Sequence, residues 1–145
     1  MQDAIIDVIT NLPLLETLQL SMTNHSSSSP QLNYLSGLKS IALSVNSAYI
    51  YDEHVVLSTL ADAIGQSPGL THLELHPGSS KMTPSLRDLV AKVPRSTPLH
   101  LTHLFLDHVL LRLDAFTIPH LRSLAFLELS YSLPAQILRQ GSAQF

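Results

Sequence analysis

A six-residue apolar phrase recurs along this chain at Leu15-x-x-Leu18-x-Leu20, Leu38-x-x-Ile41-x-Leu43, Leu70-x-x-Leu73-x-Leu75, Leu101-x-x-Leu104-x-Leu106 and Leu124-x-x-Leu127-x-Leu129. Its first leucines are spaced by 23, 32, 31 and 23 residues. Self-similarity at such periods marks stacked supersecondary units, each too small to bury its own apolar face. A strand alternates its faces with a period of two. In Leu70-Thr71-His72-Leu73-Glu74-Leu75-His76, Leu73 and Leu75 therefore point one way and His72, Glu74 and His76 the other, with Leu70 buried where the chain turns in. Parallel stacking of the five strands joins the leucines into one core, and the return path of each unit covers that core from outside. The predicted class is α/β: a curved solenoid with a parallel sheet on the concave side and helices or irregular segments on the convex side.

Composition agrees with heavy burial. Hydrophobic residues make up 45% and charged residues 13%, the latter about half the usual ~25%. A net charge of -3 with eight dispersed Lys and Arg argues against a nucleic-acid surface, which needs clustered cations to displace phosphate counterions. There is no cysteine, hence no disulfide or thiolate ligand. Met1-Gln2-Asp3-Ala4 lacks the charged start and apolar run of a secretory signal, and no apolar run approaches the ~18 residues that span a bilayer. The expected location is cytoplasmic or nuclear, not secreted, without a membrane partner.

Ile5, Val8, Ile9 and Leu12 form one helical stripe before the first strand. Ser26-Ser27-Ser28-Ser29-Pro30 reads as a polar loop. Asp52 is the expected N-cap of a helix that buries Val56, Leu57, Leu60, Ala61 and Ile64, with Gly65 stopping it in the left-handed conformation. Thr83 as cap and Pro84 at the first helical position predict another, burying Leu86, Leu89, Val90 and Val93 before Pro94. Residues 109–121 are too few for a long helix and predict extended or single-turn structure. The last strand has two registers, starting at Leu121 or Leu124, of which Leu124 keeps two large apolar residues inward and restores the 23-residue spacing. Residues 133–145 hold at most one weak helical turn.

The phrases are those of a leucine-rich repeat. Together with the junctions Asn11-Leu12-Pro13-Leu14-Leu15 and Thr117-Ile118-Pro119-His120-Leu121 and the long convex segments, the chain resembles the leucine-rich-repeat regions of fungal F-box-like proteins over almost its whole length. The familiar repeat carries Asn or Cys eight residues after its first leucine. Only Asn46 fits here, the others being Thr23, Gly78, Val109 and Ser132. The resemblance implies a single repeat domain, residues 1–145, as a piece of a longer solenoid without an F-box module. Its implied role is non-catalytic protein binding, with substrate recognition for an F-box-like adaptor as an analogy.

Aligned strands give three rows across the concave face: Thr17, Ser40, His72, His103, Phe126; then Gln19, Ala42, Glu74, Phe105, Glu128; then Ser21, Ser44, His76, Asp107, Ser130. The first two strands offer small polar residues. Recognition is therefore expected at His72, Glu74, His76, His103, Phe105, Asp107, Phe126 and Glu128, with Phe105 and Phe126 as aromatic anchors. The alternative for Phe126 is a core position, as the Leu121 register would require.

His72, Glu74, His76, His103 and Asp107 also admit a zinc site, although His72 and His76 stand roughly 13 Å apart along a strand and cannot share one ion. A metal-dependent enzyme is thus the competing reading, with a structural remnant lacking a specific partner as another. Neither Ser44 nor Ser130 has an orienting third group or oxyanion hole beside the histidines, so no catalytic residue, metal or cofactor is assigned. Lys39, Arg87, Lys92, Arg95 and Arg122 read as dispersed solvated charges, and His25, His54, His100, His108 and His120 as locally satisfied. The amino-terminal stripe and the last strand lack polar caps, so self-association through the solenoid ends is expected.

Overall fold

The computed structural model describes residues 15–22, 32–45, 53–77 and 84–130. Five strands, β1 (Thr17–Met22), β2 (Ser40–Val45), β3 (His72–His76), β4 (His103–Asp107) and β5 (Phe126–Ser130), form one sheet in chain order. Every neighbouring pair is parallel. The described helices are α1 (Glu53–Gly65), α2 (Leu86–Leu89) and α3 (Ile118–Leu121), the last two of one turn each. The class is α/β with an all-parallel sheet.

Each apolar phrase sets its strand by the same device. The carbonyl of the residue after the first leucine accepts two successive N–H groups from the next unit: Glu16 O from Lys39 N (2.7 Å) and Ser40 N (3.0 Å), and Lys39 O from Thr71 N (2.9 Å) and His72 N (3.1 Å). Thr71 O accepts from Thr102 N (2.8 Å) and His103 N (3.1 Å), and Thr102 O from Ala125 N (2.8 Å) and Phe126 N (2.9 Å). Equivalent phrase positions therefore lie side by side, and a one-residue slip would expose every leucine.

The inward side chains Leu18, Ile41, Leu43, Leu73, Leu75, Leu104 and Leu106 are buried in one cluster with Val56, Leu60 and Ile64 of α1 and Leu86, Leu89, Val90 and Val93 around α2. The apolar stripes expected of both segments are thus the ones that cover the sheet, while Leu57 is partly buried. Residues 109–121 supply an isolated pairing at Leu110 and the single turn α3. The last strand follows the Leu124 register, with His103 opposite Phe126 and Leu106 opposite Leu129, and Leu121 ends α3.

Three local expectations are corrected. Gly65 ends α1 but not by left-handed backbone; among the described glycines only Gly37 has positive φ, 69°. A Cβ at Gly65 would stand 3.0 Å from both Cβ and O of Lys92, so glycine serves the close approach of α1 to the segment after α2. Pro84 lies outside α2, and the cap is Ser85, whose Oγ accepts from Arg87 N at 3.2 Å. Residues 84–86 are committed elsewhere: Leu110 N donates to Pro84 O (2.7 Å) and Leu86 N to Leu110 O (3.0 Å), so a helix cannot begin earlier. Finally, Leu127 and Leu129 keep the inward register but are 46% and 41% exposed, because no described element packs over β5. The helical stripe at residues 5–12, the polar tract at 26–30, Asp52, Thr83, Asn46, Thr23, Gly78, Ser132 and residues 133–145 lie outside the described residues.

Two buried polar side chains cap backbone amides. Ser67, fully buried, donates from Oγ to Ala63 O (2.8 Å) and accepts from Leu38 N (3.0 Å). His120 plays a similar part further along, its Nδ1 accepting from Leu99 N at 3.0 Å. Each ties a turn to the unit before it and removes the cost of a buried unpaired amide.

Candidate binding face

The leucine-bearing side of the sheet is covered over β2 to β4, and the other side is open. On the open side the three expected rows are observed as Thr17, Ser40, His72, His103, Phe126; Gln19, Ala42, Glu74, Phe105, Glu128; and, strand pair by strand pair, Ser21 with Ser44, Ser44 with His76, and Asp107 with Ser130. Phe126 pairs in register with His103 and is 48% exposed, so it belongs to this face and not to the core.

The first row carries a stack of rings. His72 and His103 lie 4.2 Å apart at 9°, and His103 and Phe126 lie 5.9 Å apart at 26°. The residue before each histidine orients it: Thr71 Oγ1 is 3.0 Å from His72 Nδ1, and Thr102 Oγ1 is 3.0 Å from His103 Nδ1. Both hydroxyls donate to carbonyls of the preceding unit, Thr71 to Lys39 O (3.3 Å) and Thr102 to Thr71 O (3.2 Å). Each threonine hydroxyl thus lies between a carbonyl of the preceding unit and the Nδ1 of the next histidine, and holds the ring in place whichever tautomer is present. Nothing in the phrase pattern singled out these threonines, although the repeated Thr-His pair was visible in it.

The second and third rows form a mixed acid and imidazole network. His76 Nε2 bonds Glu74 Oε1 at 2.8 Å, and its Nδ1 stands 3.5 Å from Asp107 Oδ2. Asp107 Oδ1 meets His108 Nδ1 at 2.7 Å, where the backbone is left-handed, φ 58°. His76 also packs on Phe105, with centroids 4.7 Å apart, which leaves Phe105 half-buried. Partly exposed pairs of this kind contribute ~0 to 1 kcal/mol each, so their role is to hold side-chain positions. Ser40 and Ala42 are small, and beside them His72, Glu74, His103 and Phe105 enclose a depression of about 210 Å³.

Seven of the eight expected residues thus touch one another in two groups, His72 with His103 and Phe126, and Glu74 with His76, Phe105 and Asp107. Glu128 lies beside Phe105 in register. Among the described residues no group of three His, Asp or Glu is placed to hold a metal ion: His72 turns to His103, while His76 turns to the carboxylates.

Two cations are not the dispersed charges the sequence suggests. The Arg87 and Arg95 guanidinium carbons lie 4.1 and 4.7 Å from the centre of the Phe116 ring, beside a second concavity away from the open sheet face. His120, expected to be locally satisfied, is 6% exposed and lines that concavity. Burial holds its ring below the ordinary histidine pKa. No described helix is long and apolar enough to cross a membrane. Compared with known proteins, the chain matches no protein-family model, no curated protein and no solved structure.

Proposed function

We propose that the chain is a stretch of a leucine-rich-repeat solenoid, of the kind found in F-box-like adaptors, and that its open, concave sheet face binds a protein partner. The supporting observation is the ladder His72, His103, Phe126 beside Phe105. These rings are held in place by neighbouring side chains while the residues stay exposed. Pre-ordered aromatic surface costs little entropy on binding, which is why such groups anchor interfaces. Five strands ~4.8 Å apart and ~16 Å long make a flat area of roughly 300 to 400 Å². A standard interface takes about 800 Å² from each partner, so the face suits a loop or peptide segment of the partner more than a broad domain surface.

The test is comparative affinity capture with the wild-type chain, Phe105→Ala, and Arg122→Ala as a control off this face. A partner held by the wild type and the control but lost with Phe105→Ala supports the reading. Equal retention by all three, with folding verified by circular dichroism, places binding elsewhere.

A further inference from the structure

The concavity beside α2 and α3 is independent of the open sheet face and has a different chemistry. Its volume is about 320 Å³, at the lower end of small-molecule sites. Its walls are apolar, with Val90, Val93, Pro98 and Pro119 among them, and its polar groups are Arg87, Arg95 and His120.

The two guanidinium groups share one aromatic ring, 40% exposed, at 4.1 and 4.7 Å. Like charges gathered on one ring repel, and among the described residues neither has a carboxylate within ion-pair distance. The carboxylate nearest in effect, Asp114, feels the Arg87 charge but has Oδ1 occupied by Phe116 N (2.9 Å) and Thr117 N (3.1 Å). Asp88 follows Arg87 in the chain without pairing with it.

His120 supplies the second, independent observation. Its ring is more than nine-tenths buried, and its Nδ1 is committed as acceptor to Leu99 N. A neutral ring bonded that way carries its proton on Nε2. Among the described residues its one hydrogen bond is that at Nδ1, so Nε2 is open to a ligand, and the residue forms part of the cavity wall.

We propose that this cavity is a binding site for a small amphipathic organic anion, a carboxylate or phosphate monoester on a compact apolar or aromatic body. Arg87 and Arg95 hold the charged head, as guanidinium does for planar or tetrahedral oxyanions. The His120 Nε2–H bonds an oxygen, and Val90, Val93 and Pro119 enclose the body. No part of this rests on the concave-face reading.

The test is titration of the full chain with phenyl phosphate, benzoate and inorganic phosphate, followed by ¹H–¹⁵N NMR and calorimetry. Phenyl phosphate or benzoate is expected to bind at one site, with shifts at Phe116, His120 and Leu99, and at least tenfold more tightly than inorganic phosphate. Preference between the first two identifies the head group. Arg87→Gln and Arg95→Gln, both at exposed positions, should each weaken binding about tenfold or more, while Phe105→Ala leaves it unchanged. Absence of saturable binding by both organic probes overturns the proposal, as does binding insensitive to the double Arg→Gln variant.

Discussion

Replacing Leu73 by alanine tests the strand assignment at its centre. Leu73 is 1% exposed and lies between Ile41 of β2 and Leu104 of β4, themselves 1% and 0% exposed. Losing most of a buried leucine side chain forfeits ~1.5 to 3 kcal/mol of transfer free energy. The neighbours cannot close the gap, since main-chain ladders on both sides fix the strand spacing at ~4.8 Å, and a residual cavity adds further cost. The expected loss is therefore ~3 to 4 kcal/mol, in the middle of the ~2 to 5 range for such truncations.

Leu129 provides the internal comparison. It occupies the same inward register on β5 but is 41% exposed, so Leu129→Ala gives up only part of the transfer term, leaves no cavity, and should cost about 1 kcal/mol. Urea denaturation followed by circular dichroism separates the two if the slopes match the wild type. Coincident midpoints for Leu73→Ala and Leu129→Ala would refute the idea that inward leucines differ by what covers them.

Gly65→Ala should destabilise despite the ~1 kcal/mol helix-propensity gain, because the new Cβ meets Lys92 Cβ and O at 3.0 Å and overpacking costs ~1 to 3 kcal/mol; a raised melting temperature would contradict that contact. His120, whose pKa burial lowers in the folded chain, binds fewer protons folded than unfolded, so its contribution to stability is full well above pH 6.5 and is lost as pH falls below it toward the folded pKa. Proton NMR should show the His120 ring neutral when an unfolded histidine is half-charged, and a titration midpoint at or above 6.5 contradicts this. The exposed Leu127 and Leu129 on a strand paired on only one side among the described residues predict concentration-dependent self-association, relieved by Leu127→Lys; sedimentation showing a monomer across the micromolar range for both chains counts against it.

The sheet was legible because its signal is redundant. Five copies of one phrase fix strand positions, direction and register at once, and each strand confirms the spacing of the next. The Leu124 register followed from the same repetition. Details of the return paths were less legible because they depend on single contacts between units distant in sequence. Pro84 and Thr83 carry sound helix-start chemistry, yet the pairing of residues 84–86 with Leu110 overrides it. Gly65 is a plausible helix stop on conformational grounds, while its visible reason is Lys92, a residue 27 positions away.

The same distinction governs the two candidate sites. Rows on a parallel sheet are a direct consequence of strand register, so the neighbourhood of His72, His103 and Phe126 is legible in the sequence. Arg87, Arg95, Phe116 and His120 share no such periodicity. They come from α2, the segment after it, the loop before α3 and α3 itself, and only the turn held by Asp114 and Thr117 swings Phe116 beneath the two cations. Thr117, fully buried, makes that turn rigid by donating to Arg112 O and accepting from Asp114 N at 3.2 Å. In a stacked chain, then, the open sheet face is written in the repeated positions. The cavity between return segments is written in the non-repeated ones, where the irregularities that blur the repeat pattern supply the chemistry.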